Sequence, residues 1–202
     1  MILWSMREDQ TQVLGPGMRS VLWVSGCCFN CAGCVANHAR NGASTADTPK
    51  DLADWFLRQG QSGLTLSGGE PFLQAGELSE MIALIRQSKP DVSVIVYSGF
   101  QIKELYAMAR AGREDIAALL TAADVIIDGR YEAEHDDGRY AVGSANQNVI
   151  RLSQRLGQSV LDAYYTTDRA RSVEIKVNPD GVKLVGVPDK TQYQLWQMLK
   201  GA

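Results

Sequence analysis

Gly26-Cys27-Cys28-Phe29-Asn30-Cys31-Ala32-Gly33-Cys34 holds all four cysteines of the 202-residue chain. The apolar run Val21 to Val24 just before it reads as a strand, so the cysteines sit on the loop that leaves a strand. Cys27, Cys31 and Cys34 are separated by three and then two residues. That spacing lets three thiolates converge on one soft metal centre, with Gly26 and Gly33 permitting the tight turns. Three ligands are one short of the four that usually close structural zinc sites and ordinary iron–sulfur clusters. Two readings stand on these residues alone: a cluster with one iron open to a substrate, or a zinc knob that His38 completes. Cys28 falls outside the spacing and reads as a small apolar filler beneath the loop.

Outward from this loop, strands alternate with helices. Residues 1–6 read as a short strand, Leu14-Gly15-Pro16-Gly17-Met18-Arg19 as a turn, and 20–25 as the strand that delivers the cysteines. Gly15 and Gly17 suit either turn punctuation or close approach of a ligand. The polar, small-residue stretch 35–47 is expected to be irregular and exposed. Thr48 and Pro49 open a helix as N-cap and first helical residue, with Leu52, Trp55 and Phe56 on its buried face. Residues 64–66 form a strand ending in Ser67-Gly68-Gly69-Glu70-Pro71, and helix 75–87 carries the stripe Leu78, Met81, Ile82, Ile85. Strand 92–97 runs into Ser98, helices 101–111 and 114–121 break at Gly112, and strand 124–128 ends at Gly129.

Short apolar strands between helices define an α/β fold with a buried parallel sheet. The four informative loops then all leave C-terminal strand ends, the edge where such sheets bind ligands. Beyond Arg130, residues 131–147, with Glu132, Glu134, His135, Asp136 and Asp137, read as a solvated loop rather than a metal site. Residues 148–152 make a last strand. Residues 173–177 and 182–187 alternate polar and apolar around Asn178-Pro179-Asp180-Gly181, a hairpin signal, and 191–199 close as a short helix bearing Leu195, Trp196 and Leu199. Residues 1–152 are expected to form one domain, with 153–202 a C-terminal extension packed on it.

Apolar residues at 45%, charged residues at 21% and a net charge of -3 are ordinary for a globular chain and supply no footprint for nucleic acid. No apolar run reaches membrane-spanning length, and the start lacks the basic flank and long apolar region of a signal peptide. Cysteines crowded into one loop cannot staple distant parts of a fold. A cytoplasmic protein is expected, with no membrane partner.

Gly68 and Gly69 remove side chains where a ligand lies against backbone, and Glu70 offers a carboxylate able to pair with an ammonium group. Together with the three-cysteine loop this resembles the radical S-adenosylmethionine superfamily. The resemblance extends through Gly15-Pro16-Gly17-Met18-Arg19, Leu64 to Pro71, Tyr97-Ser98-Gly99-Phe100, Asp128-Gly129 and Gly143-Ser144-Ala145-Asn146-Gln147. These motifs are similar to those of the glycyl-radical enzyme activases, and in particular of the component that activates anaerobic ribonucleotide reductase. Two departures are Val35, where an aromatic residue commonly follows the last cysteine, and Ala32-Gly33 in place of Pro-Gly.

The resemblance implies a partial (β/α) barrel of radical S-adenosylmethionine type, ended here by a hairpin and short helix. It implies that Cys27, Cys31 and Cys34 hold a [4Fe-4S] cluster, that Gly33 and Val35 run beside the adenosine, and that Gly68, Gly69 and Glu70 bind the methionine end of S-adenosylmethionine. Ser98 and Asp128 would reach the ribose or carboxylate, capping of a turn being the other role open to Ser98. An external electron donor such as flavodoxin or ferredoxin reduces the cluster, S-adenosylmethionine is cleaved, and the resulting 5′-deoxyadenosyl radical abstracts hydrogen from a glycyl-radical enzyme. No acid–base residue beyond the cofactor shell is implied. The alternatives are the same chemistry aimed at a peptide or small molecule, and a non-enzymatic zinc or iron–sulfur protein in which residues 68–70 only turn the chain.

Overall fold

The computed structural model describes residues 1–42, 44–138, 142–166, 170–178 and 181–200. Four parallel neighbours form the middle of one mixed sheet: β2 (Arg19–Val24), β4 (Gly63–Gly68), β5 (Ser93–Ser98) and β6 (Val125–Asp128). β1 (Ile2–Thr11) runs antiparallel along β2, β3 (Thr45–Asp47) antiparallel along β1, and β7 (Asn148–Arg151) antiparallel along β6. The order is β3-β1-β2-β4-β5-β6-β7, so among the described residues the sheet ends at β3 and β7 and does not close on itself. The expected α/β fold and the hairpin β8 (Val173–Asn178) and β9 (Gly181–Gly186) are present. Pro179 and Asp180 of the expected hairpin turn lie outside the described residues.

Three central strands carry unbroken apolar runs (21–24 in β2, 94–97 in β5 and 125–127 in β6) because both faces are covered, while in β4 Thr65 stands between Leu64 and Leu66. On one face Leu22, Val24, Leu64, Leu66, Val94, Val96 and Ile126 pack under α2 (Pro49–Gln59), α3 (Ala75–Ser88) and α5 (Glu114–Ala122). α2 starts where predicted: Thr48 Oγ1 accepts from Asp51 N (3.1 Å) and Asp51 Oδ2 from Thr48 N (3.2 Å), a reciprocal cap, and Pro49 takes the first helical position. The alternate strand residues Val21, Trp23, Ile95, Val125 and Ile127 point to the other face. There they meet Leu14, Leu161 and Tyr164 of α6 (Gln158–Tyr164), Tyr165, and Val185 of the hairpin. Residues of the C-terminal extension thus share this side of the sheet with Val13, Leu14 and Val142.

Arg19 fastens the opposite, N-terminal edge. Its guanidinium is 1% exposed and donates to Thr65 Oγ1 (2.8 Å), Ser93 Oγ (2.9 Å), Ser93 O (2.9 Å), Leu64 O (2.6 Å) and Pro16 O (3.3 Å), tying three strands through neutral oxygens. Burial lowers its pKa to about 10, which leaves it charged at neutral pH. A side chain on Gly15 would run into Ile95 and Arg19 (2.5 and 2.8 Å), so packing accounts for this glycine.

Several elements depart from expectation. β1 is longer than residues 1–6, because its polar second half pairs with β2 despite irregular register between Glu8 and Thr11. Stretch 35–47 contains α1 (Asn37–Asn41) and β3, the latter created by pairing with β1 rather than by local pattern. α6 carries no capping side chain to announce it. α7 (Lys190–Lys200) is present, but of its expected apolar contacts only Trp196 is buried; Leu195 and Leu199 are exposed.

Candidate active site

The parallel strands end level with one another. Val24 is opposite Gly68, Leu66 opposite Val96, and Ser98 opposite Asp128, which sets Val24, Gly68, Ser98 and Asp128 in one row at the C-terminal edge. Above that row lies a cavity of about 390 Å³ whose wall includes Cys27, Cys31, Gly33, Cys34, Val35, Gly68, Gly69, Glu70 and Ser98. Nine of the ten predicted site residues therefore share one wall. The tenth, Asp128, lies outside it.

The cysteine loop is held at both ends. Gly26 N donates to Ala39 O (2.8 Å) and Gly26 O accepts from Glu70 N (2.8 Å), while Asn37 N donates to Cys34 O (3.3 Å). Between these ties the Phe29 ring meets Phe100 edge-on at 4.8 Å and carries the Arg130 guanidinium at 4.5 Å. Gly99 leaves room for that ring: a side chain there would come within 2.5 Å of it. Burial pushes the Cys27 and Cys34 thiols above their ordinary pKa, so a bound cation is needed to favour the thiolates. Cys28 is exposed and takes no part in the wall, as its position outside the spacing implied, though it is not the buried filler expected.

Gly68 and Gly69 have a second role beside clearing ligand space. Gly68 has φ +102°, and an added Cβ would lie 2.5 Å from Val24 O; at Gly69 an added Cβ would be driven into Gly26 O. Gly69 N donates to Val24 O (2.7 Å). The two glycines thus let β4 and the cysteine loop meet backbone to backbone. Glu70 has no exposed surface, and its carboxylate accepts from Phe72 N (3.0 Å), Ser98 Oγ (2.9 Å) and Gly99 N (2.7 Å). Burial raises its pKa to about 7 against the pull of those donors.

Ser98 is committed locally, donating to Glu70 and accepting from Phe100 N (3.1 Å), which is the capping role left open for it. Asp128 is buried and accepts from Ile102 N (2.7 Å) and from Asn148 Nδ2 (2.8 Å), so it fixes the start of α4 (Ile102–Arg110) and the edge strand β7. His38 is exposed and absent from the wall; among the described residues no three of His, Cys, Asp and Glu are grouped to hold a single metal ion. The donor set on the cavity is three thiols without a fourth thiol or imidazole, which fits a cluster with one open iron and not the zinc knob.

Several wall residues were not read from sequence. Gln147 Nε2 donates to Gly129 O (2.7 Å) and its Oε1 accepts from Gly143 N (2.7 Å), pinning loop 143–147 against the end of β6. The motif containing Gln147 was visible; its task was not. Asp136, expected in a solvated loop, is buried against Arg171 at 2.8 Å, a partner 35 residues away that no local pattern announces.

Residues 13–150 match the 4Fe-4S single cluster domain, so the class of protein is an iron–sulfur protein with one cluster. An anaerobic ribonucleoside-triphosphate reductase-activating protein of Enterobacteria phage T4 is 32% identical over 143 residues, covering 68% of this chain and 86% of the relative. Its namesake from Vibrio cholerae is 32% identical over 151 residues (70% and 92%), and that from Escherichia coli K12 28% over 149 residues (69% and 92%). The chain belongs to the family of anaerobic ribonucleoside-triphosphate reductase-activating proteins. Membership makes it a radical S-adenosylmethionine enzyme, with a [4Fe-4S] cluster and S-adenosylmethionine as cofactors.

Proposed function

We propose that the chain cleaves S-adenosylmethionine reductively and thereby installs a glycyl radical on a partner enzyme, an anaerobic ribonucleotide reductase. The observation that carries this is the convergence of Cys27, Cys31, Cys34 and Gly68-Gly69-Glu70 on one cavity wall in a chain of this family. Cys27, Cys31 and Cys34 would hold the cluster, which when bound supplies the electron that cleaves the sulfonium. Gly33 and Val35 border the adenosine. Gly68, Gly69 and Glu70 take the methionine end: three of roughly four acceptor positions on the Glu70 carboxylate are filled by its own chain, leaving one for an ammonium hydrogen. A bound ammonium also favours the ionised carboxylate that burial disfavours. Ser98 holds Glu70 in place, and Asp128 acts on the strand ends rather than on the ribose. Leu14, Trp23, Tyr97 and Val187 supply an apolar part of the wall that excludes water and stray hydrogen donors.

In this reading the open sheet is a partial barrel of radical S-adenosylmethionine type formed by residues 1–152, with 153–202 an extension on the same domain. A flavodoxin or ferredoxin feeds electrons from outside, and the protein works in the cytoplasm. No helix among the described residues is long and apolar enough to cross a membrane.

The test is anaerobic reconstitution followed by radical transfer. The parent protein and Cys28→Ala bind about four irons per chain, cleave S-adenosylmethionine under dithionite, and raise a glycyl-radical electron paramagnetic resonance signal on the reductase encoded in the same genome. Cys27→Ala, Cys31→Ala and Cys34→Ala do none of these. Tight zinc without iron uptake, or cleavage without a glycyl radical, sinks the proposal.

A further inference from the structure

The family match ends at residue 150, but the cavity wall does not: Arg171, Pro188 and Tyr193 of the C-terminal extension line it as well. The Arg171 side chain, 1% exposed, pairs with Asp136 at 2.8 Å and donates to Gly143 O (2.6 Å) and Pro188 O (3.2 Å). One guanidinium thus ties Asp136 and Gly143 to the exit of the hairpin. Asp136 in turn accepts from Tyr131 Oη (2.9 Å). Burial, together with that carboxylate, pushes the Tyr131 phenol up to about 12, so it stays a donor. The brace therefore ends on an aromatic ring.

Two edges of that ring are held as well. A Cβ added to Gly33 would meet Tyr131 at Cε1 (3.4 Å) and Oη (3.9 Å) and at no other atom of the side chain within 4 Å. One added to Gly143 would meet Cδ2 at 3.0 Å, with every other ring atom at 3.8 Å or beyond. An atom above a ring face touches several ring carbons at nearly equal distance, so both glycines stand at edges, and Cε1 and Cδ2 are opposite corners of the ring. Gly33 belongs to the cysteine loop, and Gly143 to the loop that Gln147 pins to the end of β6. With its tip on Asp136 and its edges on two glycines, the ring offers the cavity a face.

Five aromatic side chains line the cavity among the described residues: Trp23, Phe29, Tyr97, Tyr131 and Tyr193. Trp23 and Tyr97 pack among the core residues on the extension side of the sheet. Phe29 already carries the Arg130 guanidinium and the edge of Phe100, and Tyr193 stands on α7, outside the brace. Tyr131 is fixed against the cysteine loop, and among the described residues no ring and no cation stacks on it.

We propose that Tyr131 is the stacking platform for the purine of S-adenosylmethionine, and that Arg171, from beyond the family match, is the positioning residue that aims it. The inference rests on the reading in which Gly33 and Val35 border the adenosine: a ring that meets Gly33 edge-on stands beside that nucleoside, and aliphatic Val35 has no π face to give. Stacking needs a plane at a set angle. A tyrosine held at three points supplies one at small entropic cost.

The test measures binding, with the cluster oxidised so that nothing is cleaved. Dissociation constants for S-adenosylmethionine and for L-methionine are taken by titration calorimetry on the full-length reconstituted protein, beside its iron content. Tyr131→Leu raises Kd for S-adenosylmethionine on the order of tenfold and leaves Kd for L-methionine at the parental value. Tyr131→Phe, which keeps the ring, stays within about threefold of the parent. Arg171→Lys keeps a charge for Asp136 but loses the fork; it weakens S-adenosylmethionine alone and adds nothing in the Tyr131→Leu background, because its effect passes through the ring. Parental affinity in Tyr131→Leu, equal losses for Leu and Phe, or an equal loss of L-methionine overturns the platform. Additive effects of the two substitutions overturn the part given to Arg171. Val35→Glu, which sets a charge against the nucleoside, separates the two levels: if it weakens S-adenosylmethionine and Tyr131→Leu does not, only the platform fails, and if neither does, the placement of the adenosine fails first.

Discussion

Gly69→Ala is the sharpest test of how the site is built. An added Cβ would sit well inside the 3.0 Å that Cβ contacts essentially never undercut, and the atom it meets is Gly26 O, a backbone oxygen that cannot swing aside. Relief requires the cysteine loop to retreat from β4 by about 1 Å, a displacement of the size that lowers rates on the order of 100-fold when it misplaces reacting groups. Retreat also breaks Glu70 N to Gly26 O (2.8 Å) and strains Gly69 N to Val24 O (2.7 Å). At roughly 1 kcal/mol for each bond, the apoprotein loses about 2 kcal/mol, or some 4–8 °C in Tm for a chain of this length. The assay pairs thermal unfolding of the metal-free protein with iron content and S-adenosylmethionine cleavage after reconstitution. A glycine needed only to clear room for the cofactor would leave the metal-free protein untouched. An unchanged Tm, or cleavage within twofold of the parent, refutes the backbone-contact argument.

Two further outcomes concern buried charge. Burial lifts Glu70 from 4.5 to about 7, so between these values the folded apoprotein keeps a proton that the unfolded chain releases. The associated stability is present below pH 4.5 and is lost as pH rises through 7, on the order of 3 kcal/mol. Glu70→Gln removes that slope, and urea midpoints from pH 4.5 to 8 that run parallel in parent and variant refute it. Arg19→Met strands the oxygens of Pro16, Leu64, Thr65 and Ser93 that the guanidinium serves and destabilises the apoprotein by roughly 3–5 kcal/mol. Arg19→Lys recovers only part, because an ammonium lacks the planar fork; equal urea midpoints for Lys and Arg at this position contradict the clamp.

The wall made by residues 26–35 and 68–70 was legible because its signals are local. A spaced cysteine loop and a Gly-Gly-Glu turn each follow an apolar strand, and strand order alone brings their ends into one row. Asp128 marks the limit of that logic: its strand-end position was visible, but not that Ile102 N and Asn148 Nδ2 would donate to its oxygens. The edge strand β3 escaped notice because its three residues have no periodicity and exist as a strand only through pairing with β1. Arg171 was silent in sequence, since its partners Asp136, Gly143 and Pro188 are brought together only by the extension folding across the sheet.

The brace between Arg171 and Asp136 also orders events during synthesis. Tyr193 is added 159 residues after Cys34, roughly 8–30 s later at ordinary rates of translation. For that interval the cysteine loop emerges, and its supporting strands can pair, while the far wall does not yet exist. The three thiols stay partly exposed on the cavity of the folded chain, so the wall that arrives last narrows the space around a loop that iron and sulfide can still reach in the finished apoprotein.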